Sequence, residues 1–225
     1  MSVALRLALQ EERASDLAGR IRRLVGPFVG TEVALDSGCG TGALAFALAP
    51  HVGEVVGVDS RPEYVEAARA IAPENARFEE GDATALPFGY GAFDIAGCLR
   101  LLHHARRPEL AVSEIARVTR PGGKIFIADQ LGSIDPLRSL ELDRFERLRD
   151  PTHKRLLPDA DIRGFLDAND LRLISFEISR ERVDLEERLE LAGVSEEERV
   201  RIRGLAPTSV YEVEVGWYVA RKAGP

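Results

Sequence analysis

The stretch Asp36-Ser37-Gly38-Cys39-Gly40-Thr41-Gly42 decides how the rest of the chain is read. It follows a short apolar run, Glu32-Val33-Ala34-Leu35-Asp36, and opens the apolar segment 43–49. A buried strand, a glycine turn and a helix is the reading. Glycines spaced in this way let the backbone turn sharply and approach a ligand without a Cβ in the way. The run also satisfies the loose dinucleotide fingerprint G-x-G-x-x-G/A, so the glycines alone leave an NAD enzyme and another nucleotide binder both open.

Working outward, the chain alternates apolar strands with helical segments. Strands are expected at 32–36, 55–59, 77–82, 93–98 and 124–129, with Pro62 in the first turn of one intervening helix. Five such strands in βαβ rhythm imply a parallel sheet. Upstream, segment 2–26 has a helical apolar face, stopped by Gly26-Pro27. Downstream the rhythm changes to helices near 136–149 and 159–168 and a strand at 171–179. The final strand, 209–221, alternates Tyr211, Val213, Val215, Trp217 and Val219 on one face, as an antiparallel strand does. Between the last two strands, residues 181–203 hold 8 acids and 5 bases, read as a pair of solvated helices.

Composition narrows the classes. The 225 residues are 45% apolar and 30% charged, the mix of an ordinary globule. No apolar run reaches the ~20 residues of a membrane span, and the first residues lack a signal peptide's apolar centre. The net charge is −7, and Arg22-Arg23 and Arg106-Arg107 are too short to form a nucleic-acid stripe. Two cysteines, Cys39 and Cys98, make no disulfide framework and no thiolate zinc site. The expectation is a cytoplasmic protein, monomer or homodimer, with a small-molecule partner, no nucleic acid and no metal.

Charge placement then selects among ligands. Asp36 stands two residues before Gly38, where its carboxylate would face the ligand over the turn. At ~4 Å it would repel a pyrophosphate by roughly 1–4 kcal/mol, and attract an ammonium or sulfonium by as much. S-adenosylmethionine carries both cations and a ribose. Asp59 ends the second strand, where a carboxylate can accept both ribose hydroxyls; capping the next helix is the plainer alternative, which Ser60 could serve equally. Asp82 and Ala83 end the third strand, placed to accept from an adenine amino group and donate to the ring, though Gly-Asp also makes turns.

Together these residues resemble a known family. Leu35 to Gly42, Val58-Asp59, Gly81-Asp82-Ala83, Leu86-Pro87-Phe88, Phe93-Asp94, Leu102-His103-His104 and Arg117 to Gly123 are similar, in order and spacing, to class I S-adenosylmethionine-dependent methyltransferases of the ubiquinone and menaquinone biosynthesis branch. The family's usual V/I/L after the Asp is Ser37 here. The resemblance implies a Rossmann-like, doubly wound α/β sheet of seven strands, order 3-2-1-4-5-7-6 with strand 7 antiparallel. It implies cofactor contacts from Asp36, Gly38, Cys39, Gly40, Asp59, Ser60, Asp82, Ala83 and Cys98. One domain is expected over 1–225: a helical cap at 1–30, a cofactor core at 31–130, and a C-terminal part at 131–225 with an insertion at 181–208 that also caps the site. Phe145, Phe165 and Tyr211 would wall the pocket beneath.

Methyl transfer from a sulfonium asks the protein for alignment, dryness and sometimes a base. His103 and His104 follow the fourth strand and His153 lies in a loop. His104 and His153 are the candidate bases, against the plainer alternative of loop histidines that hold backbone. Asp129 ends the fifth strand without evident companion ligands for a metal. An NAD-linked oxidoreductase and a non-catalytic cofactor binder remain as alternatives.

Overall fold

The computed structural model describes residues 3–186, 189, 195–205 and 210–224. Seven strands form one sheet: β1 (Val33–Ser37), β2 (Glu54–Asp59), β3 (Ala76–Glu80), β4 (Phe93–Leu99), β5 (Thr119–Gln130), β6 (Leu171–Asp184) and β7 (Val210–Lys222). Their order is β3-β2-β1-β4-β5-β7-β6, and β7 runs antiparallel to both β5 and β6, as expected. The five N-terminal strands pair in parallel.

The helices follow from that order. From β1 the chain steps outward through α2 (Ala43–Leu48) and α3 (Pro62–Ala70) to β3, then returns to β4 and steps the other way through α4 (Pro108–Val118). Right-handed crossovers in opposite directions place helices on opposite faces. One face therefore packs Ile21 and Val25 of the N-terminal segment, Leu44 and Leu48 of α2, and Val65 of α3 on Ala34, Val55, Phe126 and Trp217. The other packs Val112 and Ile115 of α4, with Ile162 and Leu166 of α6 (Asp159–Asp167), on Leu35, Val56, Ile127 and Tyr218. α1 (Val3–Leu24) lies beside α2. The chain reverses direction between β1 and β4, and open α/β sheets bind ligands in that crevice, beyond the strands' carboxyl ends.

Two expectations need correction. β7 does not keep one exposed face throughout: Val215 to Ala220 are buried on both sides, because β7 sits inside the sheet between β5 and β6. The first four residues of the expected 181–208 insertion are strand, since β6 continues its ladder to Asp184 opposite Val210. A helix does follow, α7 (Glu196–Leu205), and its Ile202 joins Leu185, Leu189 and Phe145 of α5 (Pro136–Arg149) in a small third core. The other expected helical residues, 187–188, 190–194 and 206–208, lie outside the described residues, as does residue 209 of the expected final strand.

Candidate functional site

The glycine turn explains its own sequence. Gly38, Gly40 and Gly42 all have left-handed φ, at 70°, 54° and 93°. A side chain there would cost roughly 1–2 kcal/mol per residue. The turn is tied to the neighbouring strand by three hydrogen bonds. The Gly38 and Cys39 amides donate to Val58 O at 2.7 and 2.9 Å, and the Gly40 amide donates to Asp59 Oδ2 at 2.8 Å.

Over this turn lies an outer cavity of 610 Å³. Gly38, Asp59, Ser60, Asp82 and Ala83 all line it, so five of the nine expected cofactor residues converge on one space. Asp59 Oδ1 accepts from the Arg61 amide at 3.0 Å, so this acid orders the start of α3 as well as the turn. Asp82 accepts from the Thr84 amide and hydroxyl, each at 2.8 Å. Arg6, Arg61, Tyr64 and Arg100 complete the wall on one side, with Arg61 stacked 4.1 Å from the Tyr64 ring.

An inner cavity of 140 Å³, which shares Arg6, Arg100 and His104 with the outer one, is lined by Asp36 and Cys39. Asp36 is 1% exposed: Oδ2 accepts from the Ala45 amide at 3.0 Å and Oδ1 has no partner. Burial pushes its carboxyl up to about 7, with the Asp59 charge adding to the shift. The Ser37 hydroxyl, at the family's apolar position, is buried and equally without a partner. Burial pushes the Cys39 thiol well up, so it is neutral. Cys98 is different. It is fully buried among Leu35, Val58 and Leu102 and lines neither cavity; successive strand residues face opposite ways, and Leu99 and Arg100 take the wall instead.

The three histidines expected in loops meet at the inner cavity with Gln130, Glu146 and Asp150. The His103 ring centroid is 4.0 Å from that of His104 and 5.6 Å from that of His153. His153, 2% exposed, places Nε2 2.8 Å from Asp143 Oδ1, and burial lowers its pKa. His104 Nδ1 lies 3.0 Å from Thr152 Oγ1, whose hydroxyl donates to Asp150 Oδ1 at 2.7 Å. Burial, then the neighbouring His103, takes the His104 pKa down to about 3. Asp150 is buried too, but the Thr152 hydroxyl and amide outweigh that and hold it at about 2. His103 contacts Asp129 directly through Nδ1 and Oδ1.

The aromatic walls are not where they were expected. Phe145 and Tyr211 pack edge to face, centroids 5.4 Å apart, in the third core, and Phe165 of α6 packs on the core beneath α4 and α6. The inner cavity is walled by α1 instead, through Arg6, Leu9, Gln10, Arg13 and Leu17. Gln10 Oε1 accepts from Thr41 Oγ1 at 2.6 Å, which pins α1 to the turn. Arg6 packs on Gly40 and lies 4.7 Å from the Tyr64 ring, its Nε buried without a partner. The sequence carried no sign of Arg6, Gln10 or Arg100 as site residues. No group of three or more His, Cys, Asp or Glu among the described residues could hold a metal, and no helix among them is long and apolar enough to cross a membrane.

This constellation fits S-adenosylmethionine. Its Asp59 and Asp82 carboxylates could accept from a ribose and an adenine edge, and the buried Asp36 oxygen without a partner could meet a cation. Comparison with known proteins agrees. Residues 35–127 match the family described as "Methyltransferase domain". Over 141 residues, 61% of the chain, the sequence is 38% identical to "Uncharacterized methyltransferase YcgJ" of Bacillus subtilis, covering 56% of that protein. Over 97 residues, 42% of the chain, it is 35% identical to a ubiquinone biosynthesis O-methyltransferase of Coxiella burnetii, covering 42% of it. The chain thus spans about half the length of these curated relatives. The crystal structure of YcgJ superposes with a TM-score of 0.87 at 25% identity, covering 94% of this chain and 100% of that one. A candidate methyltransferase of Bacillus halodurans gives 0.84 at 26% identity, covering 93% and 99%. Residues 35–127 thus match a methyltransferase domain, and the fold around them is that of solved methyltransferase structures over more than nine-tenths of this chain.

Proposed function

We propose that this protein transfers the methyl group of S-adenosylmethionine to a small-molecule acceptor that enters beneath α1, leaving S-adenosylhomocysteine. The observation that carries this reading is the pair of cavities at the glycine turn that share Arg6, Arg100 and His104 as walls. Asp59 and Asp82 line the outer one, and histidines and leucines line the inner one. When bound, the cofactor supplies an already activated methyl group on a positive sulfur. The chain's own residues do the rest. Asp59 and Asp82 would hold the adenosine part, Gly38 and Gly40 bring the backbone close, and Asp36 faces the cationic end. α1 acts as a lid: its Leu9 and Leu17 exclude water, while Gln10 and Arg6 rest on the turn. An NAD-linked reading is weaker, because Asp36 would face a pyrophosphate.

Titration calorimetry with S-adenosylhomocysteine and with NAD is the test. The first should bind and the second should not. Asp59→Ala should weaken S-adenosylhomocysteine by about 1.5–3 kcal/mol, the range for hydrogen bonds involving a charged group. Unchanged affinity in a folded variant would remove Asp59 from the ribose.

A further inference from the structure

We propose that the methyl acceptor of this site carries an anionic group, a carboxylate or a phosphate, and that Arg106 and Lys154 hold it in the outer cavity beside Arg100. This deepens the methyltransferase reading above and rests on it.

The sheet order divides the outer cavity by charge. β2 and β3 lie on one side of β1 and β4 lies on the other, so different residues reach the two sides of the glycine turn. Asp59 and Asp82 come from the β2 and β3 side. Two cations reach that side as well, and both are engaged. Arg61 Nε donates to Glu63 Oε1 at 2.7 Å, and Arg6 and Arg61 lie 4.7 and 4.1 Å from the Tyr64 ring. The segment after β4 brings no acid to the described lining of this cavity. It brings Arg100, Arg106 and Arg107, and Lys154 joins them because its amide donates to His103 O at 2.9 Å. The backbone takes a left-handed φ of 54° at Arg100, a conformation that a residue with a side chain seldom adopts, where β4 turns into this wall.

The four cations on the β4 side are only partly neutralised. Arg107 donates to Glu109 at 3.2 Å, and one of the three Arg100 guanidinium nitrogens donates to both Glu181 oxygens at 2.6 Å. Arg106 and Lys154 have no carboxylate partner among the described residues, in a chain whose net charge is −7. Lys154 is half-buried in the wall, and a half-buried ammonium gains more from an anion than a solvated one, because less water screens the pair. The cofactor does not bring that anion here. Its adenosine is uncharged, and its amino-acid end belongs with Asp36 at the inner cavity. Arg100 and His104 wall both cavities, so an acceptor whose body lies in the inner one extends past them to Arg106 and Lys154. Arginine forks match the oxygens of a carboxylate or phosphate, and Lys154 adds a point charge. Two free cations over one cavity suit one small anion, whereas a nucleic-acid backbone needs a longer basic stripe.

The test loads the full chain with S-adenosylhomocysteine and titrates it by calorimetry, at low ionic strength, with inorganic pyrophosphate and with tricarballylate. The parent should bind at least one of them. Pyrophosphate alone points to a phosphate ester as acceptor, and tricarballylate alone to a carboxylic acid. Arg106→Gln combined with Lys154→Gln should weaken the probe about tenfold or more, as loss of hydrogen bonds between charged groups does. The same variant should keep its S-adenosylhomocysteine affinity within about twofold of the parent. Arg172→Gln combined with Arg182→Gln, at exposed positions of β6, removes the same net charge and should leave the probe within about twofold as well. Three results overturn the proposal: neither probe binds the loaded parent, both double variants weaken the probe equally, or the probe and S-adenosylhomocysteine exclude one another. The last would mean that these cations serve the cofactor. Failure of S-adenosylhomocysteine to bind a parent that still binds a probe would instead overturn the methyltransferase reading and leave the anion site standing.

Discussion

Asp36 shows how one residue's surroundings set a measurable property. With Oδ2 on the Ala45 amide and Oδ1 unpartnered, burial pushes its carboxyl up to about 7. An unfolded Asp titrates near ~3.9, so between those values the folded chain holds the extra proton, and this group's contribution to stability declines as pH rises through that window. A cation bound against Oδ1 favours the charged form and reverses the shift. S-adenosylhomocysteine, through its ammonium, should therefore bind more tightly as pH rises from about 5.5 to about 7.5, releasing a proton at the lower end. Calorimetry in buffers of different ionisation enthalpy reads that proton, and Asp36→Asn should erase it. A heat independent of buffer in the parent would show that Asp36 is already ionised. The placing of Asp36 and Asp59 at strand ends beside the glycine turn was legible, because a short apolar run ends on each. The pairing of His103 was not, since nothing in Leu102-His103-His104 says which ring meets Asp129, 26 residues away.

Among the elements, α1 carries most of what is specific to this chain. It is joined to β6 by Arg20 and Arg23 on Glu177, at 2.8 and 2.7 Å, and by Arg13 on Glu181 at 3.2 Å. These pairs are visible but partly exposed: the Arg23 side chain keeps 57% of its surface in water. Such pairs contribute about 0–1 kcal/mol each. Ile21, by contrast, is completely buried against the sheet, and truncation of such a residue costs about 2–5 kcal/mol. Urea denaturation should show Glu177→Ala within about 1 kcal/mol of the parent and Ile21→Ala lower by at least about 2 kcal/mol. The opposite ranking would mean that charge, not the apolar stripe, fastens α1. The stripe was readable from its helical period. Its destination was not, because a period says which residues share a face and leaves open what that face covers.

For the whole molecule, the two-cavity arrangement predicts where ligand binding is felt. The N-terminal half of α1 walls the inner cavity, whereas α7 joins Phe145 and Leu185 in a separate small core. Regions held by few buried contacts open first and gain most when a ligand braces them. Hydrogen exchange with S-adenosylhomocysteine should slow in the glycine turn and in residues 6–17, with a smaller change in α7. Protection confined to 36–42 would mean that α1 is a fixed wall and no lid. By itself the sequence determined the strand–turn–helix rhythm, the sheet order through its family resemblance, and five residues of strand ends and turns that converge on the outer cavity. These are local properties: strand ends, turn residues and apolar periods depend on neighbours within a few positions. Only the tertiary structure decided that β6 runs on to Asp184, that β7 is buried on both faces, that Cys98 turns into the core, and that Asp129 meets His103. Each of those depends on which face of one element packs against another distant in the chain, and burial of that kind is set by the assembled sheet and its layers rather than by any one segment.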